Sequence, residues 1–139
     1  MKILIINGPN LNMLGKRDKK YYGTLTLSMI NKELKRRKAK GNKLKFYQTN
    51  SEGKIVSFIQ KHLNYDAIII NGGAYTHTSI ALHDALELFK GKIVEVHLSN
   101  ILEREDFRKT DYIRPLAVAC FMGRQEKSYY DALSYLQKQ

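Results

Sequence analysis

The sequence is poor in cysteine, proline and long apolar runs, and each shortage excludes a class of protein. Its 139 residues include one cysteine, two prolines and no tryptophan. The single thiol, Cys120, cannot form an internal disulfide, and its apolar surroundings favour a buried structural role in a reducing compartment. Apolar runs such as 67–70 are far shorter than the ~20 residues that cross a bilayer, and no signal-peptide pattern follows the first run. We therefore expect a cytoplasmic protein without membrane contact.

Acidic residues are also scarce, with 13 against 24 lysines and arginines, for a net charge of +11. Such an excess is typical of proteins that bind nucleic-acid phosphates. Much of the excess lies where a predicted helix ends and the next strand begins, namely Lys32, Lys35, Arg36, Arg37, Lys38, Lys40, Lys43 and Lys45. A solvated, Lys-rich helix end explains this stretch, and no nucleic-acid motif accompanies it. We expect no nucleic-acid partner, and a positive field that steers a carboxylate substrate.

Strand-like apolar runs alternate with amphipathic segments along the whole chain, which predicts βα units and a parallel sheet. The predicted strands are 2–7, 43–48, 66–71, 93–98 and 115–122. The predicted helices are 26–41, 51–63, 78 or 79–88, a short one near 103–107, and 129–137. The sequence therefore predicts one catalytic domain, 1–139, with an α/β, flavodoxin-like fold: a doubly wound five-stranded parallel sheet in a three-layer α/β/α sandwich.

In such sheets, ligands bind beyond the carboxyl ends of the strands, and those ends are polar here. Glu95 and His97 are two residues apart on one strand, so their side chains share a face and the carboxylate can orient the imidazole. This pattern indicates an acid or base, although a structural, hydrogen-bonded histidine would look the same. His77 precedes a predicted helix N-terminus, which suits an anion or a hydroxyl; a loop histidine that caps backbone groups is the other interpretation.

The loop 8–24 carries the residues of a mobile lid, with Arg17, Tyr21 and Tyr22 before a glycine hinge at Gly23. A tyrosine becomes a base near neutral pH only if a cation such as Arg17 stabilises the phenolate; otherwise Tyr22 is a surface aromatic.

Zinc sites need three or four ligands with closely spaced pairs, and neither glycine-rich nucleotide motif is present. The sequence therefore predicts no metal and no cofactor.

Five sequence blocks carry a family resemblance. They are IINGPNLNMLGKR at 5–17 with YG at 22–23, QTNSEG at 48–53, GAYTHTS at 73–79, EVHLSN at 95–100 and REDFR at 104–108. In this order they resemble the type II 3-dehydroquinate dehydratase family over nearly the whole chain. The resemblance implies anti elimination of water from 3-dehydroquinate to give 3-dehydroshikimate, through an enolate and without metal or Schiff base. That reaction belongs to the shikimate pathway of aromatic amino acid biosynthesis.

The resemblance also implies a role for each matched residue. Tyr22 is the expected general base with Arg17 beside it, Asn10 helps hold a water that stabilises the enolate, and His97 protonates the departing hydroxyl while Glu95 orients it. The substrate-binding residues it implies are Asn71, His77, Asp84, Leu98, Ser99 and Arg108.

The resemblance also predicts how copies of the chain assemble. The resemblance implies a dodecamer of four trimers, in which Asp84 reaches a neighbouring subunit's site. The competing hypothesis is a catalytically silent flavodoxin-like relative that binds anions or nucleotides.

Overall fold

The computed structural model describes residues 1–138, and its central element is an all-parallel, five-stranded sheet. The strands are β1 (Lys2–Asn7), β2 (Lys43–Gln48), β3 (Ala67–Asn71), β4 (Lys92–His97) and β5 (Ala119–Met122). They lie in the order β2-β1-β3-β4-β5, which is the order of a flavodoxin-like, doubly wound sheet. The predicted fold class is confirmed.

Five α-helices accompany the strands of the part of the chain that the structure describes. They are α1 (Lys19–Tyr22), α2 (Leu27–Arg37), α3 (Glu52–Lys61), α4 (Ile80–Glu87) and α5 (Lys127–Gln137). Thr26, Ser51 and Ser79 each accept a hydrogen bond from the backbone N–H three residues further on, so they begin α2, α3 and α4. Within residues 1–138, no helix combines the length and apolarity needed to span a membrane.

The sheet is covered on both faces, which explains why β1 is apolar at every position from Ile3 to Ile6. Ile3 and Ile5 pack towards α2 and α5, whereas Leu4 and Ile6 pack towards α3 and α4. All four side chains are fully buried, and each contributes roughly 1.5–3 kcal/mol relative to an exposed position. The resulting three layers hold the strand ends rigidly beneath the site.

The predicted strand 115–122 was wrong in its first four residues, and an Asx-type turn is the reason. Oδ1 of Asp111 accepts two backbone N–H groups at 2.9 Å each, and Arg114–Leu116 then form a 3₁₀ turn. Proline has no N–H to donate to a ladder. Pairing begins only where Val118 N donates to the carbonyl of Ile93, at 2.8 Å.

Some helices end earlier than predicted because tertiary contacts intervene. The helix predicted at 26–41 is α2, and it ends at Arg37 rather than near Gly41. Just beyond it, Ala39 N donates a hydrogen bond to Gln137 Oε1 at 2.6 Å, which directs the chain away from the helix. The predicted short helix 103–107 was also wrong. Two 3₁₀ turns, Ile101–Glu103 and Asp106–Arg108, replace it.

Other boundaries shift by one or two residues. The helix α3 ends at Lys61 rather than at residue 63, and α5 begins at Lys127 rather than at residue 129. The helix α1 inside the lid loop was not predicted at all.

Candidate active site

The site lies where the strand order of the sheet reverses, at the carboxyl ends of β1 and β3. Asn7 and Asn71 are partners in the strand register, and Gly8 N donates to the Asn71 carbonyl at 2.9 Å. A Cβ atom on Gly8 would lie 2.4 Å from the carbonyl oxygen of Gly72. Glycine therefore allows the two loops to approach closely enough to form the base of a crevice.

A pocket of about 120 Å³ opens at this crevice. Nine of the eleven predicted site residues line it: Asn10, Arg17, Tyr22, Asn71, His77, His97, Leu98, Ser99 and Arg108. The other two do not: Glu95 is fully buried beside His97, and Asp84 is exposed on α4. A pocket of this size suits a compact ligand. A larger cavity of about 590 Å³ adjoins it and shares Leu98 and Ser99.

Two guanidinium groups surround Tyr22. Arg17 stacks on its ring, with Cζ 3.6 Å from the ring centroid, and Arg104 Nη1 donates a hydrogen bond to its hydroxyl at 2.8 Å. Tyr22 ends the short helix α1, which begins where the Asp18 side chain accepts a hydrogen bond from Lys20 N. Two positive charges therefore lie against the phenol, one on its ring face and one at its hydroxyl.

Arg104 is a site residue that was not predicted from the sequence. Its side chain is 7% exposed, and Nη1 also donates to Ser99 Oγ at 3.2 Å. The residue lies in the recognised block 104–108, which was a signal that it matters. Its partner Tyr22 is 82 positions away in the chain, so only the folded chain shows what it contacts.

The pocket concentrates positive charge. Arg17, Arg104 and Arg108 all line it. Burial lowers the pKa of Arg17, and so do the charges of the other two guanidiniums, while Tyr22 opposes this shift. Three cations around so small a volume make it a site for an anion.

His97 and Glu95 make the contact that their spacing predicted. His97 Nε2 lies 2.7 Å from Glu95 Oε2, and both side chains are buried. Burial lowers the pKa of His97 to about 4, so the imidazole is neutral at pH 7. Burial also raises the pKa of Glu95. Since Nε2 is paired with the carboxyl, Nδ1 is the nitrogen available to the pocket.

His77 is held by the backbone and yet faces the pocket. Its Nδ1 contacts the Thr110 carbonyl oxygen at 2.7 Å, which makes Nδ1 the protonated nitrogen. Burial lowers the pKa of His77, and the bond to Thr110 opposes the shift. A neutral His77 therefore keeps Nε2 as a hydrogen-bond acceptor for a hydroxyl.

Asn71 is oriented by a tyrosine that sequence analysis overlooked. Its Nδ2 donates to the Tyr129 hydroxyl at 3.0 Å, and its Oδ1 accepts from Gly73 N at 3.1 Å. The fully buried Tyr129 in turn donates to Asn7 Oδ1 at 2.5 Å. One amide N–H of Asn71 is left for a ligand. The 3.6-residue periodicity of α5 identifies Tyr129 as a core residue but does not show this polar contact.

Asn10 and Arg108 complete the lining. Asn10 has a left-handed backbone, φ 68°, which asparagine tolerates better than most residues, and its N–H donates to Asn50 Oδ1 at 3.1 Å. Arg108 Nε is hydrogen-bonded to the Glu105 carboxylate. Both residues therefore reach the pocket from loops whose geometry is fixed by neighbours.

A doubly wound α/β fold with a small, cation-lined pocket at its switch point is the architecture of a protein that binds a small ligand. The family model described as "Dehydroquinase class II" matches residues 1–137. The chain is 47% identical to a 3-dehydroquinate dehydratase of Fusobacterium nucleatum, over 98% of this chain and 96% of that protein. It is 49% identical to one of Bartonella bacilliformis, over 99% and 88%.

Solved structures agree with the sequence matches. The type II dehydroquinase of Butyrivibrio crossotus superimposes with a TM-score of 0.89 at 42% identity, over 99% of this chain and 97% of that one. The type II dehydroquinase of Propionibacterium acnes gives a TM-score of 0.86 at 33% identity, over 99% and 97%. The chain therefore belongs to the class II dehydroquinase family and is a hydro-lyase, which confirms the resemblance seen in the sequence.

Proposed function

We propose that this chain is a cytoplasmic 3-dehydroquinate dehydratase of the shikimate pathway, which removes water from 3-dehydroquinate by anti elimination through an enolate. One observation carries the proposal: a single pocket of about 120 Å³ has Tyr22 and its guanidiniums on the lid side and His97 on the strand side. A base and an acid on different elements are what an elimination across two ring faces requires. The family's named activity supports the substrate.

The first step is proton abstraction. The phenolate of Tyr22, stabilised by Arg17 and Arg104, takes a proton from the carbon next to the ketone and becomes a phenol. The C–H electron pair moves into the ring and the ketone becomes an enolate. Asn10 helps hold a water that donates to the enolate oxygen, an oxyanion-type stabilisation.

The second step is loss of the hydroxyl. The enolate re-forms the ketone, a carbon–carbon double bond forms next to it, and the C–O bond breaks. His97 gives a proton from Nδ1 to the departing oxygen, which leaves as water. Glu95 holds the imidazole through Nε2, at 2.7 Å. Tyr22 then releases its proton to solvent and His97 regains one, which restores the starting enzyme.

Substrate binding uses the remaining residues of the lining. The backbone of Leu98 and Ser99 binds the carboxylate, in a pocket whose net field is positive. Arg108 and the acceptor Nε2 of His77 bind ring hydroxyls, and the free amide N–H of Asn71 contributes a further hydrogen bond. A multipoint anchor of this kind fixes the ring with one face towards Tyr22 and the other towards His97.

The proposed reaction is cofactor-free and uses no imine. No lysine of residues 1–138 is among the pocket-lining side chains, and a Schiff base with a ketone needs a lysine amine.

We also propose the family's dodecamer of four trimers, with Asp84 reaching a neighbouring subunit's site. Ile80 and Asp84 lie on α4 and Leu88 caps its C-terminus, so the three recur every fourth residue, and all three are exposed. Ile80 and Leu88 are 58% and 49% exposed. An exposed face with apolar residues on both sides of a carboxylate supports contact with a second copy. Light scattering measures the mass of the assembly. The turnover of an Asp84→Asn variant measures what the carboxylate contributes to the neighbouring site.

Stereospecifically labelled substrate tests the elimination. We expect 3-dehydroquinate deuterated on the ring face opposite the departing hydroxyl to lose its label, and the other isotopomer to keep it. Retention of the label in the first and loss in the second would mean syn elimination, and would contradict the roles of Tyr22 and His97.

A further inference from the structure

The loop between β5 and α5, residues 123–126, lies against the lid that carries Tyr22. Nε2 of Gln125 donates a hydrogen bond to the Lys19 carbonyl oxygen at 3.3 Å. A Cβ atom on Gly23 would lie 3.4 Å from Cβ of Gln125 and 3.2 Å from Oε2 of Glu126, so the backbone just after α1 packs on the same loop. No sequence block indicates this contact, because 106 positions separate Gln125 from Lys19.

The Lys19 carbonyl is the group that closes the single turn of α1. It also accepts a hydrogen bond from Gly23 N, at 3.0 Å. A helix of four residues does not persist on its own, because so few backbone hydrogen bonds do not offset the entropy lost in ordering it. Contacts from outside the lid therefore hold this turn, and the Gln125 amide supplies one of them at the closing carbonyl.

The backbone of Gln125 has a conformation that its side chain disfavours. Its φ is 53°, in the left-handed region that residues with a long side chain rarely adopt. Its N–H donates to the Leu98 carbonyl at 2.9 Å, and its own carbonyl accepts from Ser128 N at 3.1 Å. The neighbours therefore fix this strained geometry. Glycine would adopt it without strain, so the turn alone does not account for a glutamine here, and the contact of its side chain does.

The bond to Leu98 connects the same residue to the proposed carboxylate site. The Leu98 carbonyl and the Ser99 N–H belong to one planar peptide group, and this N–H is part of the backbone proposed to bind the carboxylate. A hydrogen bond that fixes the carbonyl also fixes the direction of the N–H. Gln125 thus contacts the carboxylate-binding peptide through its backbone and the lid through its side chain.

Arg104 also holds the lid, but through the base itself. It donates to the Tyr22 hydroxyl, and its Cζ lies 4.1 Å from the ring centroid of Tyr21. In the proposed reaction the phenolate becomes a phenol, and a hydrogen bond to a neutral acceptor is weaker than one to an anion. The bond from Gln125 joins two neutral groups and uses only the backbone of the lid. Its strength therefore does not depend on the protonation state of Tyr22.

We propose that Gln125 is a positioning residue that latches the lid, so that Tyr22 stays over the pocket while the ring is bound. This proposal rests on the proposed function. Gln125 does not line the pocket of about 120 Å³, so it acts through the segments that it joins. It sets the separation between the base on the lid and the peptide that anchors the substrate.

Two variants separate the latch from the turn. Gln125→Gly removes the amide and relieves the left-handed backbone, whereas Gln125→Met keeps an unbranched side chain of similar length and removes the donor. Both keep the N–H that donates to Leu98. We expect kcat to fall about 3- to 10-fold in each, the effect of one neutral hydrogen bond on an equilibrium. KM should change little, because the proposed anchoring groups lie outside the lid.

A role confined to the turn would give a different pattern. Gln125→Gly would then have normal kcat, since glycine suits the backbone, and that result would overturn the proposal. Arg124→Met is the matched control on the same loop. The Arg124 side chain pairs with Asp131 at 2.6 Å, and we expect this variant to have wild-type kcat.

Limited trypsin digestion tests the latch without turnover. Arg17, Lys19 and Lys20 are cleavage sites within the lid, and a protease cuts a folded segment only when it opens locally. We expect cleavage there to be about 3- to 10-fold faster in Gln125→Gly and Gln125→Met than in the wild type or Arg124→Met. Mass spectrometry locates the cuts, and unchanged rates outside the lid would exclude global unfolding as the cause.

Two results would overturn the latch as a positioning device. One is lid cleavage at the wild-type rate in both Gln125 variants, and the other is faster cleavage with unchanged kcat. A wild-type protein that does not convert 3-dehydroquinate, but whose lid cleavage still depends on Gln125, would instead contradict the proposed function.

Discussion

Tyr22 is the residue on which the proposed chemistry depends most. Replacing it with phenylalanine keeps the ring under Arg17 and removes the oxygen that accepts from Arg104. We expect Tyr22→Phe to fold normally and to lose about 10²- to 10⁴-fold in kcat, the usual contribution of a positioned base. Steady-state kinetics measures it. The adjacent Tyr21→Phe is the control, because Tyr21 lines the larger cavity and not the pocket. Normal turnover by Tyr22→Phe would exclude it as the base.

Arg104 gives the Tyr22 hydroxyl its charged hydrogen-bond donor. Arg104→Met keeps an unbranched side chain and removes the hydrogen bond to the Tyr22 hydroxyl, so the phenolate loses a cation. We expect kcat to fall about 10-fold or more, because the charged hydrogen-bond donor to the base is lost, and steady-state kinetics measures it. Arg124→Met is the control, because Arg124 is 59% exposed and paired with Asp131. If the two variants had the same kcat, the hydrogen bond from Arg104 would have no effect on the base.

Individual site residues could be predicted only where a sequence block carried them. Nine of those residues line one pocket, because they follow strand ends that a parallel sheet brings to one edge. Arg104 and Tyr129 were missed as partners because their contacts join distant segments. Gln125 lies outside every recognised block, and only the fold brings it to the lid.

At the scale of elements, α5 supports the site through one hydroxyl. Tyr129 bridges Asn7 and Asn71 at the ends of β1 and β3. Tyr129→Phe leaves two buried amides with an unmet hydrogen bond, so we expect the free energy of unfolding to fall by about 1–3 kcal/mol. We also expect KM to rise as Asn71 loses its orientation. Urea unfolding and kinetics measure both effects.

The neighbouring Tyr130→Phe is the control for that helix. Tyr130 is partly exposed, and its ring lies under Arg37 with Cζ 4.2 Å from the centroid, a contact that phenylalanine keeps. A Tyr129→Phe protein as stable as Tyr130→Phe would show that the bridge contributes nothing.

Elements were predictable where a local signal was strong. The starts of α2 and α3 at residues 26 and 51 were predicted, and that of α4 was predicted at residue 78 or 79, because a hydroxyl cap is a local interaction. The start of β5 was not, because the turn that delays it depends on Asp111, several residues earlier. The lid helix α1 is a single turn in a segment rich in lysine and tyrosine, and no apolar periodicity indicates it.

For the whole molecule, buried acids that stay protonated predict alkaline sensitivity. The unfolded Cys120 thiol loses its proton near pH 9.0, whereas burial raises its pKa to about 12 in the folded protein. Burial likewise raises the pKa of Tyr129. Between pH 9.0 and about 12, the folded state therefore binds more protons than the unfolded state. Its stability falls as pH rises above about 9. Urea midpoints at pH 7.5 and 9.8 measure the decline, and Cys120→Ala should make it shallower. If the decline in the urea midpoint were the same in Cys120→Ala as in the wild type, the raised pKa of the folded thiol would be contradicted.

The fold as a whole was the most predictable level. Apolar strands alternating with amphipathic helices leave few topologies, because crossover connections are right-handed and both faces of a parallel sheet must be covered. Net charge was less informative, since the same +11 is compatible with a substrate-steering field and with a solvated helix end.

The most direct measurement is the ultraviolet absorbance of the purified protein mixed with 3-dehydroquinate. Water loss next to a ketone creates a conjugated enone, so we predict a rise in absorbance. The rise should be unchanged after borohydride treatment and in the presence of a chelator, and it should be absent with Tyr22→Phe. A rise abolished by borohydride would mean an imine rather than an enolate. No rise from a protein whose circular dichroism shows an intact fold would contradict the dehydratase itself.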